Sequence, residues 1–152
     1  MHLPRKRAVI VAFALACAAA CGGDGLTDTE RDAYGAYVLT AVNGSPLPFE
    51  LGRACGERAE RGYLELRQQN RFYIEVDVSK PACPEQQAER WVGTGIWTVI
   101  GSTVRLVSDR AGERSIQFGA APAPFDDSGL DASGAFEGEG IQGGMVTFKF
   151  SR

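Results

Sequence analysis

The chain has 152 residues, of which 44% are hydrophobic and 23% charged, and a formal net charge of −3. That length suits one domain with a single core, and the acidic balance argues against a nucleic-acid-binding surface. Nineteen glycines, spread along the chain, suit short strands and turns better than long helices.

The N-terminus carries Arg5-Lys6-Arg7, an apolar run from Ala8 to Ala20, and then Cys21 followed by Gly22-Gly23-Asp24-Gly25. The run is too short for a transmembrane helix, which needs about 20 residues, and has the layout of a secretory signal. Small residues leading into a cysteine, with a polar glycine-rich stretch behind it, resemble the lipobox of bacterial lipoproteins. In that family the cysteine thiol is acylated and becomes the new N-terminus. The resemblance implies a signal peptide over 1–20, lipidation at Cys21 and a flexible tether over 21–33. It departs from the usual pattern at Ala18, where leucine is common. Acylation of Cys17, or plain cleavage after Ala20 without acylation, stays open.

Signal removal takes three of the 16 basic residues and none of the 19 acidic ones, leaving a mature domain at −6. The membrane is therefore expected as a partner through acyl chains rather than through basic residues. The expected location is the bacterial cell envelope, on the outer membrane facing the periplasm.

Thr27 to Ala33 is polar, with room for a short helical turn. Gly35 to Val42 is rich in β-branched and aromatic residues and reads as the first strand. Asn43-Gly44 signals a hairpin turn. Pro46 and Pro48 restrict the next stretch to an edge or irregular strand through Phe49 and Leu51. Gly52 to Arg61 is a charged loop. Over 62–67 Leu64 and Leu66 alternate with Glu65 and Arg67; Gln69-Asn70 turns the chain, and Phe72, Ile74, Val76 and Val78 form one face of the clearest half-buried strand.

That hairpin brings its outer ends to one edge of a sheet, with Cys55 before one end and Cys83 after the other. In an oxidising compartment these two thiols are expected to form a disulfide, closing a loop of about 29 residues worth on the order of 3–4 kcal/mol. Two free buried thiols are the alternative. With two cysteines left, and the only histidine, His2, leaving with the signal, no metal site is expected.

Residues 81–88 form a polar loop confined by Pro81 and Pro84. From Arg90 to Asp109 the alternation is strongest: Trp91, Gly93, Gly95, Trp97 and Val99 share one parity, Gly101-Ser102 breaks the run, and Val104 and Leu106 resume it. Asp109 to Gly112 reads as a turn, and Ser115 to Phe118 as a short strand with Ile116 and Phe118 on one face. Ala120 to Gly129 reads as the longest irregular stretch after the tether. Asp126, Asp127, Ser128 and Asp131 lack the spacing of a calcium loop and read as a solvated turn. Gly134 to Gly138 opens another strand, Gly143-Gly144 turns, and Met145 to Ser151 ends the chain with Val146, Phe148 and Phe150 on one face. Three Gly-x-aromatic pairs recur: Gly35 with Tyr37, Gly95 with Trp97, and Gly134 with Phe136. At each, glycine allows a bend or close backbone approach and the aromatic fills the core beside it.

Eight or nine sequential strands with one apolar face predict an all-β fold over 34–152, a small antiparallel up-and-down barrel of about eight strands. The segments GAYVLTAVNGSPLP and GIWTVIGSTVRLV resemble small bacterial lipoproteins with a lipocalin-like barrel. Gly95-Ile96-Trp97 matches the G-x-W of lipocalins, although that motif lies on their first strand and here it is mid-chain. The resemblance implies a barrel and a small apolar ligand, and assigns no catalytic residue. Tyr37, Trp97 and Phe136 are the candidate lining residues. The alternative is an interaction protein with a packed interior that meets a protein or glycan of the envelope through loop 120–133, with Phe125 and Leu130, and through the ring of Trp91. No enzyme is expected: after export no histidine remains for a Ser-His-Asp or Cys-His arrangement, Glu137 and Glu139 read as outward strand positions, and no phosphate-cradling glycine motif or other cofactor signature is found.

Overall fold

The computed structural model describes residues 27–109, 114–137 and 144–152. The expected signal, Cys17, Cys21, most of the turn at 109–112, Glu139 and Gly143 lie outside the described residues.

After a helix α1 (Asp28–Ala33) come ten strands: β1 (Gly35–Val42), β2 (Ser45–Pro46), β3 (Phe49–Glu50), β4 (Arg58–Arg67), β5 (Arg71–Ser79), β6 (Glu89–Ile100), β7 (Thr103–Ser108), β8 (Ser115–Asp126), β9 (Gly129–Glu137) and β10 (Met145–Ser151). From β4 to β10 each strand pairs antiparallel with the next, and β1 closes the ring between β10 and β4. The result is a closed, antiparallel, eight-stranded barrel, with β2 and β3 as short extensions on β1 and β4. Closure removes the free edges that an open sheet of this size would expose.

Local chemistry explains the corners. Asn43 and Gly44 both take positive φ, 50° and 74°, as a two-residue hairpin requires. Gln69 and Asn70 do the same at the β4–β5 turn, with φ of 60° and 57°. The alternation seen in the sequence holds on β5, where Phe72, Ile74, Val76 and Val78 are buried, and on β6, where Trp91, Gly93, Gly95 and Trp97 are buried.

An interior this narrow is just wide enough for side chains to fill, and aromatic rings fill much of it. Phe72 of β5 meets Phe118 of β8 edge-on at 5.6 Å; Phe118 meets Phe148 of β10 at 5.7 Å. Phe148 meets Phe136 of β9 at 5.2 Å, and Phe136 meets Trp91 of β6 at 5.6 Å. Rings from opposite walls thus touch in one continuous chain.

Glycine makes room for it. A Cβ on Gly95 would fall 2.0 Å from the Val107 carbonyl oxygen and 2.5 Å from the Phe72 ring; one on Gly93 would fall 2.4 Å from the Ile116 carbonyl oxygen. Gly93 sits where β7 has ended and β8 crosses directly onto β6, with Val92 paired to Ser115. The Gly-x-aromatic reading therefore holds at Gly95 and likewise at Gly134, where the Phe118 ring lies 2.8 Å from the added carbon.

Two strand boundaries need correction. The irregular stretch 120–129 is strand: β8 runs to Asp126, and only residues 127–128 form the turn into β9. Pro122 and Pro124 are exposed and pair with β7, while Ala123 between them is buried. A face carried by alanine and interrupted by prolines gives almost no apolar alternation to read. Pairing with β9 also lapses between Phe118 and Phe125, and Ala120 takes a positive φ of 62°, the mark of a bulge. The second correction concerns β4, which begins at Arg58 inside the expected charged loop, across an irregularity between Ala59 and Arg61.

Thr27 to Ala33, the end of the expected tether, belongs to the folded body. Thr27 and Glu30 form a reciprocal capping box, which satisfies two otherwise orphaned backbone donors. Ala33 is fully buried, and Asn70 Nδ2 donates to Glu30 Oε1 at 2.9 Å. Tyr37 Oη donates to the Ala33 carbonyl, and Arg152 donates to the carbonyls of Asp32 and Tyr34. The helix thereby closes one end of the barrel.

Phe148 touches Phe118, Phe136 and Phe150. Phe148→Ala should lower unfolding free energy by about 3–5 kcal/mol in denaturant titrations, with the far-ultraviolet spectrum still that of a β protein. On the outer wall, burial and the hydrogen bond to Glu75 push the Tyr73 phenol up to about 12 from 10. The folded protein holds this proton more tightly than the unfolded chain, so the associated stability is complete below pH 10 and is lost between 10 and about 12. Absorbance titration should show a tyrosine step near 12 that Tyr73→Phe abolishes.

Candidate interaction site at the bridged end

At the end opposite α1, the disulfide Cys55–Cys83 joins the loop before β4 to the loop after β5, with Cα atoms 5.1 Å apart. This is the pairing expected from the hairpin. The bridged loops bring together residues far apart in sequence. Arg53, two positions before Cys55, lays its guanidinium over the Trp91 ring, 4.4 Å from the centroid, and 5.9 Å from that of Phe136. Its Nη2 donates to the Phe136 carbonyl at 3.3 Å, and its Nη1 pairs with Glu57 at 3.4 Å. The disulfide thus holds a cation over the end of the aromatic chain, an arrangement that gains strength once desolvated. Burial draws the Arg53 pKa below its usual range, partly opposed by Glu57 and Glu89.

Beside it, Lys80 Nζ pairs with Glu89 and lies 3.9 Å from Glu57, with only 7% of its side chain exposed. Glu89 Oε1 also receives Arg114 Nη1 at 2.6 Å. Glu89 and Trp91 stand two residues apart on β6 and share its inward parity. Both carry a buried polar atom without a partner: the second carboxylate oxygen of Glu89, and the indole nitrogen of Trp91. Leaving such atoms unsatisfied costs about 1–3 kcal/mol each. A donor would satisfy the first and an acceptor the second. Trp97, by contrast, donates its indole N–H to the Arg67 carbonyl at 2.9 Å.

The candidate lining residues are separated. Tyr37 and Trp97 are fully buried with their polar atoms turned to the α1 end, whereas Phe136 packs on Trp91 near the disulfide. All three contribute to the core. The expected surface role of the Trp91 ring is corrected: the ring is 1% exposed, because it faces inward and Arg53 covers it. Leu130 is likewise buried, and Phe125 is half-buried beside a cleft of about 210 Å³ with Asp126, Asp131 and Lys149. Asp126 is committed to its turn, accepting from the Ser128 N–H at 2.8 Å and hydroxyl at 2.6 Å, bonds that lower its pKa. Among the described residues no group of three or more potential ligand side chains is placed to hold a metal ion.

Sequence reasoning missed Arg53, Lys80 and Glu89. The signals available were charge placed beside Cys55 and Cys83, and Glu89 on the inward parity of Trp91. Comparison of the chain with protein families, with curated proteins and with solved structures gives no match.

Replacing both cysteines by serine should cost about 2–4 kcal/mol and release Arg53 from Trp91. The check is a red shift in the emission of Trp91, measured with Trp97→Phe present, alongside the fall in unfolding midpoint. An unchanged midpoint and spectrum would show that Arg53 holds its place without the bridge.

Proposed function

We propose that this is an exported protein, lipid-anchored at Cys21 in the bacterial cell envelope, whose packed barrel is a scaffold presenting its bridged end to a hydroxyl-bearing partner, a glycan or protein of that compartment. The observation that carries this reading is the pair of buried, unpartnered atoms on Glu89 and Trp91 beneath Arg53. A hydroxyl donates to the carboxylate and accepts from the indole. The role proposed is binding, with Arg53, Glu57, Lys80, Glu89 and Arg114 engaged with one another around the Trp91 ring.

The rival reading is a small apolar ligand held between Tyr37, Trp97 and Phe136. It draws on the resemblance to lipocalin-like lipoproteins and requires the chain of rings from Phe72 to Trp91 to part. The two readings differ in which indole responds. With only two tryptophans in the chain, titration of the labelled mature domain with solubilised envelope glycan and protein fractions can follow both indole N–H resonances. Movement of Trp91 alone supports the bridged end; movement of Trp97 supports the interior; no movement of either, across all fractions, overturns both.

A further inference from the structure

Seven of the eight large apolar side chains that stand exposed among the described residues lie on β1, β4, β6 and β7 or just before β1; the eighth is Met145 on β10. They are densest on β6, whose outward face presents Val92, Ile96 and Ile100 between Arg90, Thr94 and Thr98, with Ile100 62% and Ile96 45% exposed. Val107 of β7 stands directly beside Ile96. In the ring of eight strands, β10 lies diametrically opposite β6. The charged side chains of the apolar wall neutralise one another, as in Arg67–Glu65, Arg71–Asp109 and Arg90–Glu75. The −6 of the mature domain is therefore carried mainly elsewhere.

The chain enters the fold on the same side. α1 contacts β6, and its first turn is tied by Glu30 to Asn70 at the β4–β5 turn. Cys21 is six residues before Thr27, a span of at most about 20 Å when fully extended. β6 alone, at 12 residues, is about 40 Å long. An anchor so short keeps the α1 end of the barrel within about 20 Å of the bilayer, with β6 and the β4–β5 turn on the side nearest the anchor. Exposed apolar side chains interspersed with charged and hydroxyl-bearing ones suit the headgroup boundary, where both are accommodated.

We infer that the β4–β7 wall, centred on Ile96 and Ile100 near the α1 end, rests on the surface of the bilayer that holds the anchor, leaving β8–β10 turned to solvent. This rests on lipidation at Cys21 and deepens that reading: the acyl chains retain the protein and the wall orients it.

The test uses the full chain, expressed with its lipidation machinery, purified and reconstituted into vesicles of phosphatidylethanolamine and phosphatidylglycerol that include a nitroxide-headgroup lipid. Thr98→Cys on β6 and Thr147→Cys on β10, both exposed, each carry an environment-sensitive fluorophore. Mass spectrometry of the N-terminal peptide comes first. An unmodified Cys21 overturns the anchor and the docking with it. With acylation confirmed, quenching is expected to be several-fold stronger at position 98 than at 147, and Ile96→Glu with Ile100→Glu should remove that difference while the protein still floats with the vesicles. Equal quenching at the two positions on acylated protein overturns the docking and leaves the anchor standing. Both glutamate substitutions are at exposed sites, so an unchanged melting temperature confirms that the fold persists.

Discussion

Everything in this barrel depends on how eight strands are made to close around a space barely wider than an aromatic ring. Closure forces backbones together at particular points, and at those points a Cβ has no room. Gly95 lies against Val107 and Phe72, and Gly93 against Ile116. The volume that these glycines leave is taken by rings reaching across the lumen, so that Phe72, Phe118, Phe148, Phe136 and Trp91 form one chain of contacts. On β6 small residues alternate with large ones, Gly93 and Gly95 between Trp91 and Trp97, and the two are parts of one packing solution.

The two ends are closed by different chemistry. One is covered by a six-residue helix, too short to be stable alone, held by Tyr37, Asn70 and Arg152. The other is covered by Arg53, carried on a loop fixed by the disulfide. Putting a guanidinium over Trp91 and Phe136 satisfies shape and polarisability, and it leaves the Trp91 indole and one Glu89 oxygen without partners. Among the described residues, the buried side-chain atoms left without a partner lie at the bridged end. This difference is what marks the bridged end as the place to look for a partner.

The outer surface is as unequal as the two ends. Strand β6 faces inward with Trp91, Gly93, Gly95 and Trp97, and its outward face alternates Val92, Ile96 and Ile100 with Arg90, Thr94 and Thr98. In a closed barrel those outward apolar side chains have no second sheet to bury them. β10 by comparison faces outward with Met145, Thr147 and Lys149. The position of β6 beside the entry of the N-terminal helix links its outer surface to the route by which the chain leaves the fold.

Much of this was legible in the residues. Alternation over 35–42, 62–78, 90–108 and 145–151 located the strands, because a half-buried strand cannot avoid a period of two. Asn43-Gly44 and Gln69-Asn70 located turns, because few residues accept positive φ. The placement of Cys55 and Cys83 outside one hairpin located their bond. What the sequence could not reveal is the second half of β8, where alanine and proline carry no apolar rhythm, or that Trp91 faces a guanidinium rather than solvent. Nor could it pair Arg53 with Phe136, 83 residues away. Periodicity reports which way a side chain points from its own strand; which strand stands opposite, and what fills the space between, is decided only when the ring closes.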